Sequence, residues 1–366
     1  MWGFSMMMCN RCVMDASAIN FEITKTGCNY CDEFERQKKI ASSQNNLEQL
    51  VERIKRDGRT KEYDCVVGVS GGIDSSWVLV KAVELGLRPL AVHMDNTWNS
   101  EIASSNIRNL VEKLNIDLET YVIDWGEYKV MLQALLDSDV VDVELLYDNA
   151  LYGVNYKFSS KYGIKHLLGG LNYATEGIPV PENWNWNKYD STNIKSILRA
   201  RKVKRLKSTY PYFSIEKFIY HKFFRKTEWH SILDLINYKK EDALVVLEKQ
   251  YDYKRYPYKH YESILTRFYQ GYLLPSKFGI DKRKLHLSTL IMNNELNRDD
   301  ALTLLTESAY PSERDLVKDK LFFLNKMGWS EEDLSSYIKR PRQNHENYNS
   351  SNGRIKIYSG IRKLIK

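Results

Sequence analysis

Two short groups of residues carry most of the chemistry that residue type and spacing can specify. Cys9, Cys12, Cys28 and Cys31 form two CxxC pairs separated by 15 residues. Each pair makes a tight knuckle that aims two sulfurs at one point, and two knuckles supply the four thiolates of a closed tetrahedral Zn²⁺ site. A closed site has no open coordination position, so its role is structural. The same thiolates suit an iron-sulfur cluster, and a pair of redox dithiols is a third reading. Cys65, alone in an apolar run, reads as a small buried hydrophobe. The second group is Ser70-Gly71-Gly72-Ile73-Asp74-Ser75-Ser76. Adjacent glycines let successive backbone N–H groups face one point, a following helix adds its partial positive charge, and the serines add hydroxyl donors, which together suit a phosphate. The Walker arrangement would place a lysine here for the outer phosphates, and none is present.

Such a loop works only between a strand and a helix. Residues 64–69 are a β-rich run and residues 77–85 an apolar helix stopped by Gly86, so the loop falls at the carboxyl end of a strand. Strands are expected at 89–94, 118–123 and 164–168, with helices at 42–58, 100–114 and 148–162. This β-α-β alternation predicts an α/β fold with a parallel sheet wound with helices, and ligands in such a sheet bind beyond the carboxyl ends of its strands. The expected division is a zinc ribbon (1–40), a linker helix (41–62), the nucleotide domain (63–180), a helical substrate or partner domain (181–343) and a loose basic tail (344–366).

The chain has 366 residues, 43% hydrophobic and 28% charged, with 54 Lys+Arg against 47 Asp+Glu and a formal charge of +7. That excludes a disordered or collagen-like chain, and a chain this long buries a core without disulfides. No run approaches the roughly 18 apolar residues that cross a bilayer, and the opening residues lack a signal peptide's charge pattern, so a cytoplasmic protein without stable membrane insertion is expected. Residues 194–226 hold eleven Lys/Arg against Glu216 alone, a basic stretch open to a diphosphate, an acidic partner, a tRNA backbone or plain solvation. Trp184 and Trp186 are candidates for stacking on a sugar or base, with simple packing the commoner outcome.

The sequence SGGxDS after a hydrophobic strand resembles the PP-loop of the ATP pyrophosphatase superfamily (adenine nucleotide alpha hydrolase-like), over roughly residues 63–177. The resemblance implies that Ser70, Gly71, Gly72, Ser75 and Ser76 cradle the pyrophosphate of ATP and that Asp74 holds Mg²⁺. It also implies an adenine site lined by Val67, Gly68 and His93. Gly170, Asn172 and Glu176 lie in GGLNYATE, similar to the GTxNxxE stretch of NAD synthetases but one residue longer, where the acid serves metal and nucleotide. Lys277 is a candidate for the phosphate charge that the loop lacks.

The whole arrangement is similar to the N-acetyl sugar amidotransferases of bacterial surface-polysaccharide (LPS O-antigen) biosynthesis. The residues that carry this are 9–15, Cys28 and Cys31, 70–75, 95–100, 169–176 and 277–281. The resemblance implies an ATP-dependent, AMP-forming enzyme that adenylates the acetamido oxygen of a nucleotide-linked sugar and replaces it with ammonia. The expected cofactors are ATP, Mg²⁺ and Zn²⁺. A separate glutaminase and a cyclase-like subunit would deliver the ammonia, because the residues before the loop are too few for a glutaminase module; no nucleic acid is required. Ammonia arrives as a neutral nucleophile, so no base is essential; Glu176 and Asp95 are the best-placed acids beside Asp74. The rival reading is a tRNA-modifying PP-loop thiolase, which needs a sulfur-carrying cysteine near the loop or an open cluster site, and Cys65 inside a strand is poorly placed for it.

Overall fold

The computed structural model describes residues 7–43, 46–204, 208–256 and 261–354. A two-stranded antiparallel hairpin, β1 (Ile23–Thr24) and β2 (Gly27–Cys28), leads into α1 (Asn29–Ser43). Cys28 therefore ends a strand and Cys31 opens a helix. Helix α2 (Leu47–Gly58) begins at Asn46, whose side chain accepts from the Gln49 N–H, and buries Leu50, Val51 and Ile54 on one stripe.

The centre of the molecule is a five-stranded sheet of β3 (Cys65–Gly68), β4 (Pro89–Asp95), β5 (Leu118–Val122), β6 (His166–Gly169) and β7 (Glu228–Ser231), in the order β5-β4-β3-β6-β7. Every pairing is parallel. The connections include α3 (Ile73–Glu84), α4 (Glu101–Leu114), α5 (Trp125–Asp137), α6 (Leu145–Lys161) and the short α7 (Tyr173–Glu176). Strand β3 is buried on both faces: Val66 joins the core under α5 and α6, and Val67 joins the core under α3 and α4. The order of strands reverses at β3, so the crevice between the carboxyl ends of β3 and β6 is the topological switch point.

After α7 come α8 (Ser191–Ala200), α9 (Ile215–Tyr220), α10 (Lys240–Tyr251) and α11 (Ile264–Phe268), the last continued by wide turns over Tyr269–Phe278. Helices α12 (Arg283–Met292), α13 (Arg298–Thr306), α14 (Glu313–Met327) and α15 (Glu331–Lys339) complete the helical C-terminal region. No helix among the described residues is long and apolar enough to cross a membrane.

Three differences from the sequence reading have physical causes. Strand β7 lies inside the stretch expected to be mostly helical. It is an edge strand of four residues with no apolar alternation, so nothing local announces it. The central sheet thus draws on residues well past 180. Helix α5 was also missed, although Asp124 caps it by accepting from the Glu127 N–H. Finally, the described part of the expected loose tail is fastened down: His345 is 1% exposed and bonded to Asn193, and the Ser351 N–H and hydroxyl both donate to Asp190. Residues 355–366 of that tail, and 205–207 of the basic stretch, lie outside the described residues.

Candidate active site

The glycine-serine loop leaves β3 after Val69, whose N–H still donates to the Val92 carbonyl at 2.9 Å. Gly71 has φ +82°, and a Cβ there would lie 2.7 Å from the Ala103 carbonyl oxygen, so both conformation and space require glycine. Gly72 is the N-cap of α3 and offers no side chain to close its first turn. The Ser70 and Ser75 hydroxyls lie 3.2 Å apart; Ser70 Oγ accepts from the Gly72 N–H, and Ser75 Oγ donates to the Gly72 carbonyl. Ser76 is 1% exposed, on the buried side of α3. The result is a tight turn at a helix N-terminus, the geometry that receives phosphate.

Residues that the sequence reading did not single out hold this loop from the far side. The Tyr253 and Tyr256 hydroxyls each donate to the Gly71 carbonyl at 2.9 Å. That carbonyl is thereby turned into the protein. Glu262 is the second addition: a Cβ on Gly72 would meet its Oε1 at 3.2 Å, and its backbone is fixed by Ser100 N–H donating to Glu262 O at 2.8 Å. No local motif marks these side chains, since they lie some 180 residues from the loop in sequence. The only available signal is the tyrosine density of 251–261. Removing both hydroxyls as Tyr253→Phe/Tyr256→Phe leaves a buried carbonyl unpaired. Stability should fall by about 2 kcal/mol and ATP affinity by about tenfold. Calorimetric ATP titration beside a thermal melt checks this, and unchanged affinity would remove the tyrosines from loop positioning.

At the next strand end Gly170 packs against the start of α3, where a Cβ would come within 3.0 Å of the Ser75 nitrogen. Asn172 caps α7: its Oδ1 accepts from the Thr175 N–H at 2.9 Å and its Nδ2 donates to the Gly170 carbonyl at 2.8 Å. Asn172 is therefore the residue that shapes the turn, and it delivers Glu176 to an exposed position. Tyr238 donates its hydroxyl to Asp74. Burial first, then the Asp74 and Glu176 carboxylates, hold that phenol well above its usual range, so it stays a donor. Asp74 in the first turn of α3 and Glu176 on α7 are oxygen donors of the kind that suits a hard divalent cation.

The end of β4 plays a supporting part. His93 is 8% exposed, with Nδ1 2.9 Å from the Val69 carbonyl and Nε2 3.0 Å from Asn99 Nδ2. A carbonyl only accepts and an amide nitrogen only donates, which fixes a neutral imidazole with its proton on Nδ1. Burial lowers its pKa further. Both nitrogens are occupied in steadying the loop, so His93 does not line an adenine site with free donors. Val67 is fully buried in the core and offers no side chain to a ligand either. Gly68 faces α6, where a Cβ would meet Asn155 Oδ1 at 2.9 Å. Asp95 accepts from the Thr97 N–H at 2.7 Å and from Asn99 Nδ2 at 3.3 Å, which shapes the turn after β4.

The first turn of α6 carries Tyr147 and Asp148. Lys188 donates to Asp142 Oδ2 at 2.6 Å and lies 2.9 Å from Asp148 Oδ2. Burial and then the Glu262 charge raise the Tyr147 phenol. Lys277 is elsewhere. Its ammonium is buried, 2.9 Å from Asp139 and donating to the carbonyls of Tyr337 and Arg340, so it joins parts of the C-terminal region and has no phosphate to meet. The tryptophans are also packing groups: Trp184 is fully buried with Nε1 donating to the Ser17 carbonyl, and Trp186 stacks on His345.

The four N-terminal cysteines come together as the spacing requires. Sγ separations of 3.9 Å (Cys9–Cys31), 3.9 Å (Cys12–Cys28) and 3.7 Å (Cys28–Cys31) match the edge of a tetrahedron with bonds of about 2.3 Å. The N–H groups of Arg11 and Cys12 donate to Cys9 Sγ, and that of Met14 to Cys12 Sγ, the support expected for thiolates. The cluster is closed and fully buried. Arg298 on α13 donates to the Cys9 and Cys12 carbonyls, and Val13 N–H donates to Ser288 Oγ on α12, so the knuckle is seated against the C-terminal helices.

Residues 41–165 match the family described as NAD synthase, and residues 262–362 match the C-terminal domain of the family described as LPS biosynthesis protein WbpG-like. Among solved structures the chain is similar to the NMN synthetase from Francisella tularensis, with 17% identity over 58% of this chain and 96% of that one and a TM-score of 0.29. It is similar also to the NH3-dependent NAD synthetase from Campylobacter jejuni subsp. jejuni NCTC 11168, with 16% identity over 56% and 92% and a TM-score of 0.29. The chain matches no curated protein. Together, the parallel sheet with its glycine-serine loop at the switch point, the NAD synthase match over that loop and strands β3 to β5, and the WbpG-like match over the C-terminal helices support an ATP-utilising PP-loop protein of LPS biosynthesis.

Proposed function

We propose that this enzyme is an amidotransferase that acts on a nucleotide-linked N-acetyl sugar. The observation that carries the reading is the union, in one chain, of the PP-loop site with a WbpG-like LPS-biosynthesis domain whose first matched residue, Glu262, lies against the loop. An acetamido carbonyl is a weak electrophile. Its oxygen attacks the α-phosphorus of ATP, the bond to the bridging oxygen breaks, and pyrophosphate leaves while the amide nitrogen releases its proton. Ammonia then adds to the imidate carbon, and expulsion of AMP gives the acetamidino group. The loop N–H groups and the α3 N-terminus stabilise the charge that builds on pyrophosphate. A divalent cation held by Asp74 and Glu176 would neutralise part of that charge when bound. Ammonia comes from a separate glutaminase with a cyclase-like partner.

The test is phosphorus NMR of the protein with Mg-ATP, ammonium chloride and a panel of UDP- and CMP-linked acetamido sugars, with bulk tRNA in parallel. AMP and pyrophosphate should appear only with a sugar, accompanied by a product of acetamidino mass. AMP released only with tRNA would transfer the same site to RNA modification.

A further inference from the structure

At the opposite end of the sheet from the loop, three side chains with ligand chemistry meet where β6 and β7 begin. Register pairs His166 with Glu228 and Leu168 with His230. Residues 228 and 230 are two apart on one strand, so they share a face with each other and with His166. The result is compact: His166 Nδ1 lies 3.0 Å from His230 Nε2, His230 Nε2 lies 3.8 Å from Glu228 Oε2, and one ligand atom from each residue falls within 4.8 Å of the others.

The neighbours set the tautomer. His166 Nε2 is 3.2 Å from Asp57 Oδ2 on α2, an acceptor, so this nitrogen carries the proton and Nδ1 presents its lone pair to His230. A carboxylate behind one ring nitrogen with the other aimed at a shared point is the arrangement that orients metal-ligating histidines. His166 is 2% exposed, while Glu228 and His230 are only partly buried, which leaves room for a water as fourth ligand. Arg53 is the present partner of Glu228 at 3.2 Å and Lys165 that of Asp57 at 3.7 Å; both are about as exposed as surface side chains, at 42% and 40%, and free to turn outward.

The geometry points to a second metal site, with His166 Nδ1, His230 Nε2 and a Glu228 carboxylate oxygen binding a divalent transition-metal ion of the zinc type. Ligand bonds of about 2.0–2.1 Å require N···N separations only slightly longer than the one observed. Such an ion would fasten β7, the short edge strand of the sheet, to β6. It is separate in ligand chemistry from the four-cysteine cluster and independent of the proposed reaction.

The experiment uses the full-length protein, equilibrated with Zn²⁺ and then desalted, with metal content measured for the wild type, His230→Gln and Glu228→Gln. Each variant should hold about one equivalent less than the wild type. Co²⁺ substitution adds a readout on the wild type alone: weak d–d bands beyond those of the thiolate site, without added thiolate charge-transfer absorption, and lost in His230→Gln. Asp57→Asn should retain the site with affinity lowered by about tenfold. Equal metal content in wild type and both variants would overturn the assignment, as would a wild-type Co²⁺ spectrum of thiolate ligation only. A variant that fails its melt is set aside, and the wild-type spectrum then decides.

Discussion

Replacement of Asp74 by alanine is expected to lower ATP-to-AMP turnover by about 10³-fold or more, a loss of roughly 4 kcal/mol in transition-state stabilisation. Asp74 sits in the first turn of α3, where its carboxylate adjoins Ser75 and, through Tyr238, shares a neighbourhood with Glu176. On the proposed reading, removing it takes away an oxygen donor to the cation while the backbone of the loop stays in place. Asp74→Asn provides the matching control, because an amide oxygen still accepts from Tyr238 but carries no charge. Both variants should melt near the wild type and both should fail in pyrophosphate release. Turnover that survives in either would sink the mechanism.

Substitution of Cys12 by serine is the change expected to damage the fold most. The thiol is fully buried, 3.9 Å from Cys28 Sγ, and accepts from the Met14 N–H. Three remaining thiolates would face one another without the metal that compensates their charge, and metal binding energy is folding energy for such a module. A loss of about 4 kcal/mol or more is expected, with the metal of the cluster released. Denaturant midpoints and metal analysis of the purified variant check both parts. A midpoint equal to that of the wild type would show that the cluster is not a structural metal centre, and the metal found in the wild type separates zinc from iron.

What the sequence made legible was local. The cysteine pairs, the loop and the strands on either side of it are specified within a few residues of themselves, and the structure holds them where spacing and periodicity put them. The rest depends on partners distant in sequence. Lys277 stands before a phenylalanine and a glycine like many a loop lysine, and only Asp139 and the end of α15 make it a buried cross-brace. His93 looks like a ligand liner until Val69 and Asn99 occupy its two nitrogens. Strand β7 is four residues of a polar sequence that becomes a strand because β6 offers it an edge. Tyr238, Tyr253 and Tyr256 are three among 25 tyrosines, and nothing in their vicinity says that they face residues 71–74.

The seating of the cysteine knuckle on the last third of the chain also governs the order in which the protein can be assembled. Val13 reaches its hydrogen-bond partner across 275 residues, and the Cys9 carbonyl reaches Arg298 across 289. During synthesis the sheet can close as soon as β7 leaves the ribosome, whereas the first-made module must wait, with those backbone groups still solvated, for α12 and α13. Contacts of such span make the final docking step slow relative to formation of the sheet. Truncated chains that end before residue 298 therefore carry a finished sheet and a cysteine knuckle whose Cys9 and Cys12 carbonyls have lost their Arg298 donor.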